Sequence, residues 1–262
     1  ADREALHLAA RVVCMPQRRE SAAVALQDLQ EVCAGSSVAI DMGLHPAWDT
    51  RGLAADLLLG ERLVGGPRWA DGPALLGCAL SHSELWLQLA EDDGAALGGS
   101  AGALLVLEDD AVINAARPVE LLLPEILAKA GEFDFILLGA FEDPTTFPDC
   151  CLNCPADWVD DCLVRVRYFG GFWGYLVTPR GARRALGVLW GDAASPRALE
   201  GDCDLLVAEA CKRQEMSAAL CIPNLVLHPG WFGNCNHTRC ACADYEYTVD
   251  AARLVASGAR RS

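Results

Sequence analysis

Apolar residues fall into two kinds of run along this chain. Short unbroken runs, Val12-Val13-Cys14-Met15, Val38-Ala39-Ile40, residues 103–107 and residues 133–138, have the length and continuity of strands buried on both faces. They stop at Pro16, Asp41, Glu108 and Gly139, residues that end or turn a strand. Between them the spacing becomes helical. Ala22, Ala25, Leu26, Leu29 and Val32 recur with a period of about 3.6, as do Leu76, Leu80 and Leu87 within residues 74–90, and residues 121–130 carry the same pattern. Later segments predict a strand at 163–166, helices at 182–189 and 203–213, and a strand at 225–227. Strands alternating with helices predict an α/β fold with a mainly parallel sheet flanked by helices. No internal repeat or linker divides residues 1–262, so one domain is expected.

Charge narrows the partners. Asp and Glu number 36 against 21 Lys and Arg, a formal charge of −15. Such a surface repels phosphate backbones and anionic lipid, which argues against nucleic acid and membrane-surface partners. No span reaches the roughly 20 apolar residues of a membrane helix.

Thirteen cysteines are many for a cytosolic enzyme. Cys150, Cys151, Cys154 and Cys162 lie in a polar insertion at 143–162, and Cys235, Cys240 and Cys242 in a similar stretch within 231–262. Loop cysteines in clusters favour disulfides made in an oxidising compartment, and Asn236-His237-Thr238 is a glycosylation acceptor. The alternative is zinc, with Cys151 and Cys154 joined by Cys240, Cys242 or His237. An odd count leaves at least one free thiol; Cys14, Cys78 and Cys211, in apolar periodic segments, are the candidates.

The most informative stretch is Leu104-Leu105-Val106-Leu107-Glu108-Asp109-Asp110. In parallel α/β sheets the ligand crevice lies outside the carboxyl ends of the strands. Three consecutive acids there repel one another unless a cation neutralises them. Mg²⁺ or Mn²⁺ takes carboxylate oxygens and shares its shell with substrate phosphates, where it stabilises a departing diphosphate. A solvated acidic turn is the alternative.

Three motifs in order extend this reading. Gly77-Cys78-Ala79-Leu80-Ser81-His82, then Glu108-Asp109-Asp110, then Tyr175 followed by the Gly181-Ala182 helix together resemble glycosyltransferase family 25, over about residues 10–229. The family includes lipopolysaccharide and collagen galactosyltransferases. The resemblance implies a GT-A fold, a Rossmann-like nucleotide-binding sheet, and inverting transfer of a sugar, galactose as first guess, from a UDP-sugar. It places Asp110, with Glu108 or Asp109, at the metal, Asp109 otherwise lying beside the nucleotide sugar. Asp204, with Asp202 as second choice, would be the general base on the acceptor hydroxyl; a helix cap is the alternative for Asp204. His228 is a candidate third ligand to Mn²⁺ or Mg²⁺, although the family pattern fixes no His there.

Asp41 matches an acid after the second strand, near the nucleotide, with a turn cap as its alternative. Arg18, next to Arg19, could bind the pyrophosphate or form a solvated surface pair. Met15-Pro16 replaces the family's Asn-Leu at this point. Ser81 and His82 would contact sugar or phosphate, or His82 would be a hydrogen-bonded structural histidine. Trp86 reads as core. Tyr175 belongs to the motif, and Phe172-Trp173-Gly174-Tyr175 and Trp231-Phe232-Gly233 could offer apolar faces to sugar rings. Gly170 and Gly171 would let backbone approach the substrate. The acceptor would be a protein or glycan in the secretory lumen or outside the cell. Two rivals stand beside the enzyme: a non-catalytic binding or adhesion module of the same fold, and a disulfide-rich domain holding Ca²⁺.

Overall fold

The computed structural model describes residues 6–53, 72–91, 97, 99–114, 118–140, 157–222 and 224–228. Its ten strands are β1 (Leu6–Cys14), β2 (Val38–Pro46), β3 (Leu104–Glu108), β4 (Val112–Ile113), β5 (Phe135–Gly139), β6 (Asp157–Trp158), β7 (Leu163–Val166), β8 (Gly174–Val177), β9 (Ala218–Cys221) and β10 (Val226–Leu227). The α-helices are α1 (Arg19–Cys33), α2 (Gly72–Glu91), α3 (Val119–Leu127), α4 (Pro179–Trp190) and α5 (Cys203–Lys212).

Eight strands form one sheet in the order β2-β1-β3-β8-β5-β9-β7-β6. Strands β1, β2 and β3 are parallel neighbours, as are β5 and β9; β8 and β7 run against the rest. The sheet is therefore α/β and mainly parallel in direction, with two reversed strands inserted. Alternate residues of a strand face opposite sides, and here each side meets its own helices. Leu104, Val106, Phe135, Leu137 and Tyr175 pack under α2, α4 and α5, whereas Leu105, Leu107, Ile136, Leu138 and Leu176 pack under α1 and α3. Burial on both faces explains why these strands read as continuous apolar runs. Among the described residues no helix is long and apolar enough to cross a membrane.

Local chemistry fixes the start of α4, at the sheet edge opposite the carboxyl end of β3. Thr178 caps α4, its hydroxyl accepting from the Gly181 amide at 3.1 Å, and Pro179 occupies the first turn, where its missing N–H costs nothing. Gly181 is needed there because a Cβ would run into the carbonyl of Asp134, the residue before β5.

Three expectations are corrected. Strand β2 runs on past Asp41 to Pro46, because a sheet-edge strand tolerates the polar positions that seemed to end it. Strand β1 begins at Leu6, well before Val12. Strand β9 was not foreseen, since Ala218-Ala219-Leu220-Cys221 is poor in β-branched residues; all four are buried between β5 and β7, where small side chains fit beneath helices. The cysteine expectation is answered only in part. Cys14, Cys33, Cys78, Cys162, Cys203, Cys211 and Cys221 are thiols, and no disulfide occurs among the described residues. Cys150, Cys151, Cys154, Cys235, Cys240, Cys242, the Asn236 acceptor, His237, Trp231 and Phe232 lie outside them.

Candidate functional site

Strands β1 and β3 are parallel and in register, Val13 opposite Glu108, so their carboxyl ends open on the same edge of the sheet. Chain leaving β1 passes Met15 into a single 3-10 turn, Pro16–Arg18. Chain leaving β3 reverses at once, the Ala111 amide donating to the Glu108 carbonyl at 3.0 Å. That tight turn splits three successive carboxylates, Glu108 toward α2 and both Asp109 and Asp110 to within 3.3 Å of Arg18 Nη1.

Asp109 turns toward β1. It accepts from the Met15 amide at 3.0 Å and pairs with Arg18 Nη1 at 3.0 Å. Burial raises its pKa, opposed by the Met15 amide and Arg18. Asp110 shares that guanidinium: Oδ2 lies 3.3 Å from Arg18 Nη1 and 3.2 Å from His228 Nε2, while Oδ1 is buried without a hydrogen-bond partner among the described residues. Burial alone would raise Asp110, but the hydrogen bond and charge of His228, with Arg18, outweigh it and hold the carboxyl below its ordinary range. His228 is delivered by β10, which pairs with β4 immediately after the acid turn. Glu108 faces α2, with Oε1 3.6 Å from His82 Nε2.

Beside the turn lies a cavity of about 260 Å³, lined by Val13, Met15, Arg18, Trp48, Arg51, Cys78, Ser81, His82 and the three acids, among others. The carboxylates are thus not splayed into bulk solvent; they floor a cleft at the position where α/β sheets take ligands.

The remaining predicted residues divide. Arg18 reaches the cleft and neutralises two of its acids, so it is no free-standing surface pair. Ser81 lines the cleft, but its hydroxyl is engaged, donating to Gly77 O at 2.6 Å and accepting from Trp48 N at 2.9 Å. His82 is 1% exposed and is hydrogen-bonded through Nδ1 to Tyr175 Oη at 2.7 Å. Tyr175 is fully buried and also accepts from Trp86 Nε1 at 3.0 Å, so it supports His82 from beneath and does not face the cleft. Phe172 and Trp173 are core as well; Phe172 packs against Phe135 and Tyr175, which removes them as a sugar platform. Trp86 is core as expected. Asp41 stays apart: its exposed carboxylate binds Arg11 at 2.8 Å from the body of β2, because β2 continues beyond it.

Asp202 is the N-cap residue of α5, and Asp204 lies in its first turn. Asp204 is not the cap. Its Oδ2 accepts the Gly171 amide at 2.6 Å, and Gly171 holds φ +86°, a left-handed conformation that suits glycine. Burial chiefly, with the charges of Asp202 and Glu108, raises the Asp204 carboxyl to about 6 despite that hydrogen bond.

One constellation was not foreseen. Cys78 and His82, four apart on α2, share a face, and Cys203 at the start of α5 brings its Sγ to 3.8 Å from Cys78 Sγ. The hydrogen bond from Cys203 lowers the Cys78 thiol to about 7 against the effect of burial. His82 is raised: burial works against the charged form, but Cys78 and Glu108 outweigh it. The Cys-x-x-x-His spacing was visible in the sequence; the approach of Cys203 was not.

No family model matches the chain. No curated protein matches it. Among solved structures, UDP-glucose pyrophosphorylase complexed with UDP-glucose aligns with a TM-score of 0.42 at 9% identity, covering 82% of this chain and 91% of that one. Likeness at that level assigns no activity to this chain.

Proposed function

We propose that this chain is a metal-dependent, inverting glycosyltransferase similar to family 25, with a GT-A arrangement of its sheet. It would move a sugar, galactose first among candidates, from a UDP-sugar to a hydroxyl of a protein or glycan in the secretory lumen. The observation that carries this reading is the cleft at the ends of β1 and β3, floored by three acids, where Asp110 meets His228 through Oδ2 and keeps Oδ1 buried without a partner among the described residues.

That donor set suits a hard or borderline divalent ion. Carboxylate oxygen with one imidazole fits Mn²⁺ well and Mg²⁺ acceptably, so Asp110 and His228 would hold the ion. When bound, it supplies a Lewis acid for the charge developing on the departing diphosphate. Glu108, assigned to the same ion from sequence, faces His82 instead.

The chain's own groups supply the rest. Arg18, half-exposed at the cleft, can turn its guanidinium from the acids to a phosphate oxygen. Asp204 as base takes the acceptor proton; the acceptor oxygen bonds to the anomeric carbon while the bond to UDP breaks, and UDP leaves with the electron pair. A carboxyl raised to about 6 is ionised at neutral pH yet more basic than an ordinary Asp, which suits this step. Tyr175 and Trp86 fix His82 at the cleft wall.

Calorimetric titration with UDP, followed by a screen of UDP-sugars for UDP release, tests the reading. Heat that requires Mn²⁺, and turnover with at least one UDP-sugar lost in Asp110→Ala, is expected. Ca²⁺ heat with no nucleotide binding would replace the enzyme by a binding module.

A further inference from the structure

We propose that Cys78, His82 and Glu108, completed by Cys203, form a zinc site separate from the Asp110–His228 pair. The donor atoms of Cys78, His82 and Glu108 lie within 4.8 Å of one another. They come from one face of α2 and the end of β3, and Cys203 Sγ approaches Cys78 Sγ to 3.8 Å from the start of α5, from where it would draw in toward His82 and Glu108 to complete the set.

Two of the donor separations already match those of a tetrahedral ion. With Zn–S bonds of about 2.3 Å, two thiolates on one tetrahedral zinc sit roughly 3.8 Å apart, the separation seen here. Bonds of about 2.0–2.1 Å to nitrogen and oxygen put those ligands roughly 3.4 Å apart, and His82 Nε2 lies 3.6 Å from Glu108 Oε1. A disulfide would need the sulfurs at about 2.05 Å.

Donor chemistry selects the metal. Two thiolates, an imidazole and a carboxylate form a borderline-soft set that favours zinc over Mg²⁺ or Mn²⁺. The support behind the histidine is of the kind metal sites use: Nδ1 is tied to Tyr175 Oη, itself held by Trp86, which aims Nε2 at Glu108 and Cys78. The cleft gives an entry path, since Cys78, His82 and Glu108 line it. Four protein donors close the shell, so the ion would join α2, β3 and α5 rather than activate water. In an oxidising compartment it would also keep the two thiolates from oxidising to a disulfide.

The test uses the full chain, stripped with chelator under reducing conditions and titrated with Co²⁺, without nucleotide. Wild type should develop thiolate-to-cobalt charge-transfer absorption together with the strong visible bands of tetrahedral Co²⁺, both displaced by Zn²⁺. Cys78→Ser and Cys203→Ser should each lose charge-transfer intensity, whereas Cys151→Ser/Cys154→Ser should retain the signal of this site. Should the cysteine variants fail to fold, Tyr175→Phe, which keeps all four ligands, should weaken Zn²⁺ binding by about 10–100-fold. A Co²⁺ spectrum without thiolate charge transfer, one unchanged in Cys78→Ser, or unaltered Zn²⁺ affinity in Tyr175→Phe would overturn the site. Because no UDP is present, these results stand apart from the fate of the transferase reading.

Discussion

At the scale of single residues, the carboxylates of Asp204 and Asp134 have opposite environments and opposite consequences. Asp204 is raised from 3.8 to about 6, so between those values the folded chain holds a proton that the unfolded chain releases. Stability attributable to this residue is present in acid and falls as pH rises through that window. Asp204→Asn should therefore unfold at the same temperature as wild type near about pH 4, yet at a higher one near about pH 7.5. It should also abolish sugar transfer while leaving UDP affinity within twofold; unchanged turnover would disqualify it as base. Asp134 is the converse. Its side chain is fully buried and accepts from Arg180 at 2.8 Å, Arg184 at 2.9 Å and the Ser217 amide at 2.8 Å. Burial would raise it, but these partners outweigh burial and lower it. Its contribution is present above the unfolded value of 3.8 and lost as pH falls through the lower folded one. Asp134→Asn should cost about 2–3 kcal/mol at neutral pH by denaturant unfolding, and the gap to wild type should narrow in acid.

At the scale of elements, the loop before β8 shows how backbone geometry sets the chemistry of a helix. Gly171 donates its amide to Asp204 from a left-handed conformation, and a Cβ there would come within 2.7 Å of the Trp173 indole nitrogen. Gly171→Ala should cost about 1 kcal/mol or more from the conformation alone. Relief of that strain shifts the residue 171 amide away from Asp204 and weakens a bond to the charged carboxylate, so the acid limb of the pH–rate profile, expected near 6 in wild type, should move to higher pH. A limb left in place would separate Asp204 from the rate.

The same scale shows what the sequence could convey. Strands β3 and β5 were legible because both faces are buried, making the runs apolar throughout, and the acids stood out because they end such a run. Helices α2, α4 and α5 were legible from their apolar stripes. Strand β9 was hidden by alanines, and the extent of β2 by its polar edge positions. Within the site, Asp110 with His228 was readable as chemistry, but the pairing of β4 with β10 that joins them is a long-range contact that no local pattern encodes. Tyr175 was found for the wrong role: its motif marks a buried support for His82, and a hydroxyl hidden by packing reads like any exposed tyrosine in sequence.

At the scale of the whole molecule, charge and architecture pull against each other. To work as the proposed transferase, a chain of net charge −15 must draw a nucleotide diphosphate into a cleft floored by Glu108, Asp109 and Asp110. Arg18 and His228 already lie against those acids, and Arg51 is paired with Asp49 at 2.7 Å, so little positive charge is left over for phosphate without an added cation. Nucleotide and metal should therefore bind as a coupled pair, each weak alone. Ligand that binds only the folded state, at about 100 times its dissociation constant, adds about 2.7 kcal/mol. For a domain of this size that is a rise in melting temperature of roughly 5–10 °C. UDP with Mn²⁺ should produce that rise by scanning fluorimetry, and UDP alone should produce none beyond the scatter of replicates. Asp110→Ala should lose the joint effect while keeping its own melting temperature. An equal rise without Mn²⁺ would mean that the arginines alone neutralise the diphosphate, and the metal would have no place at the end of β3.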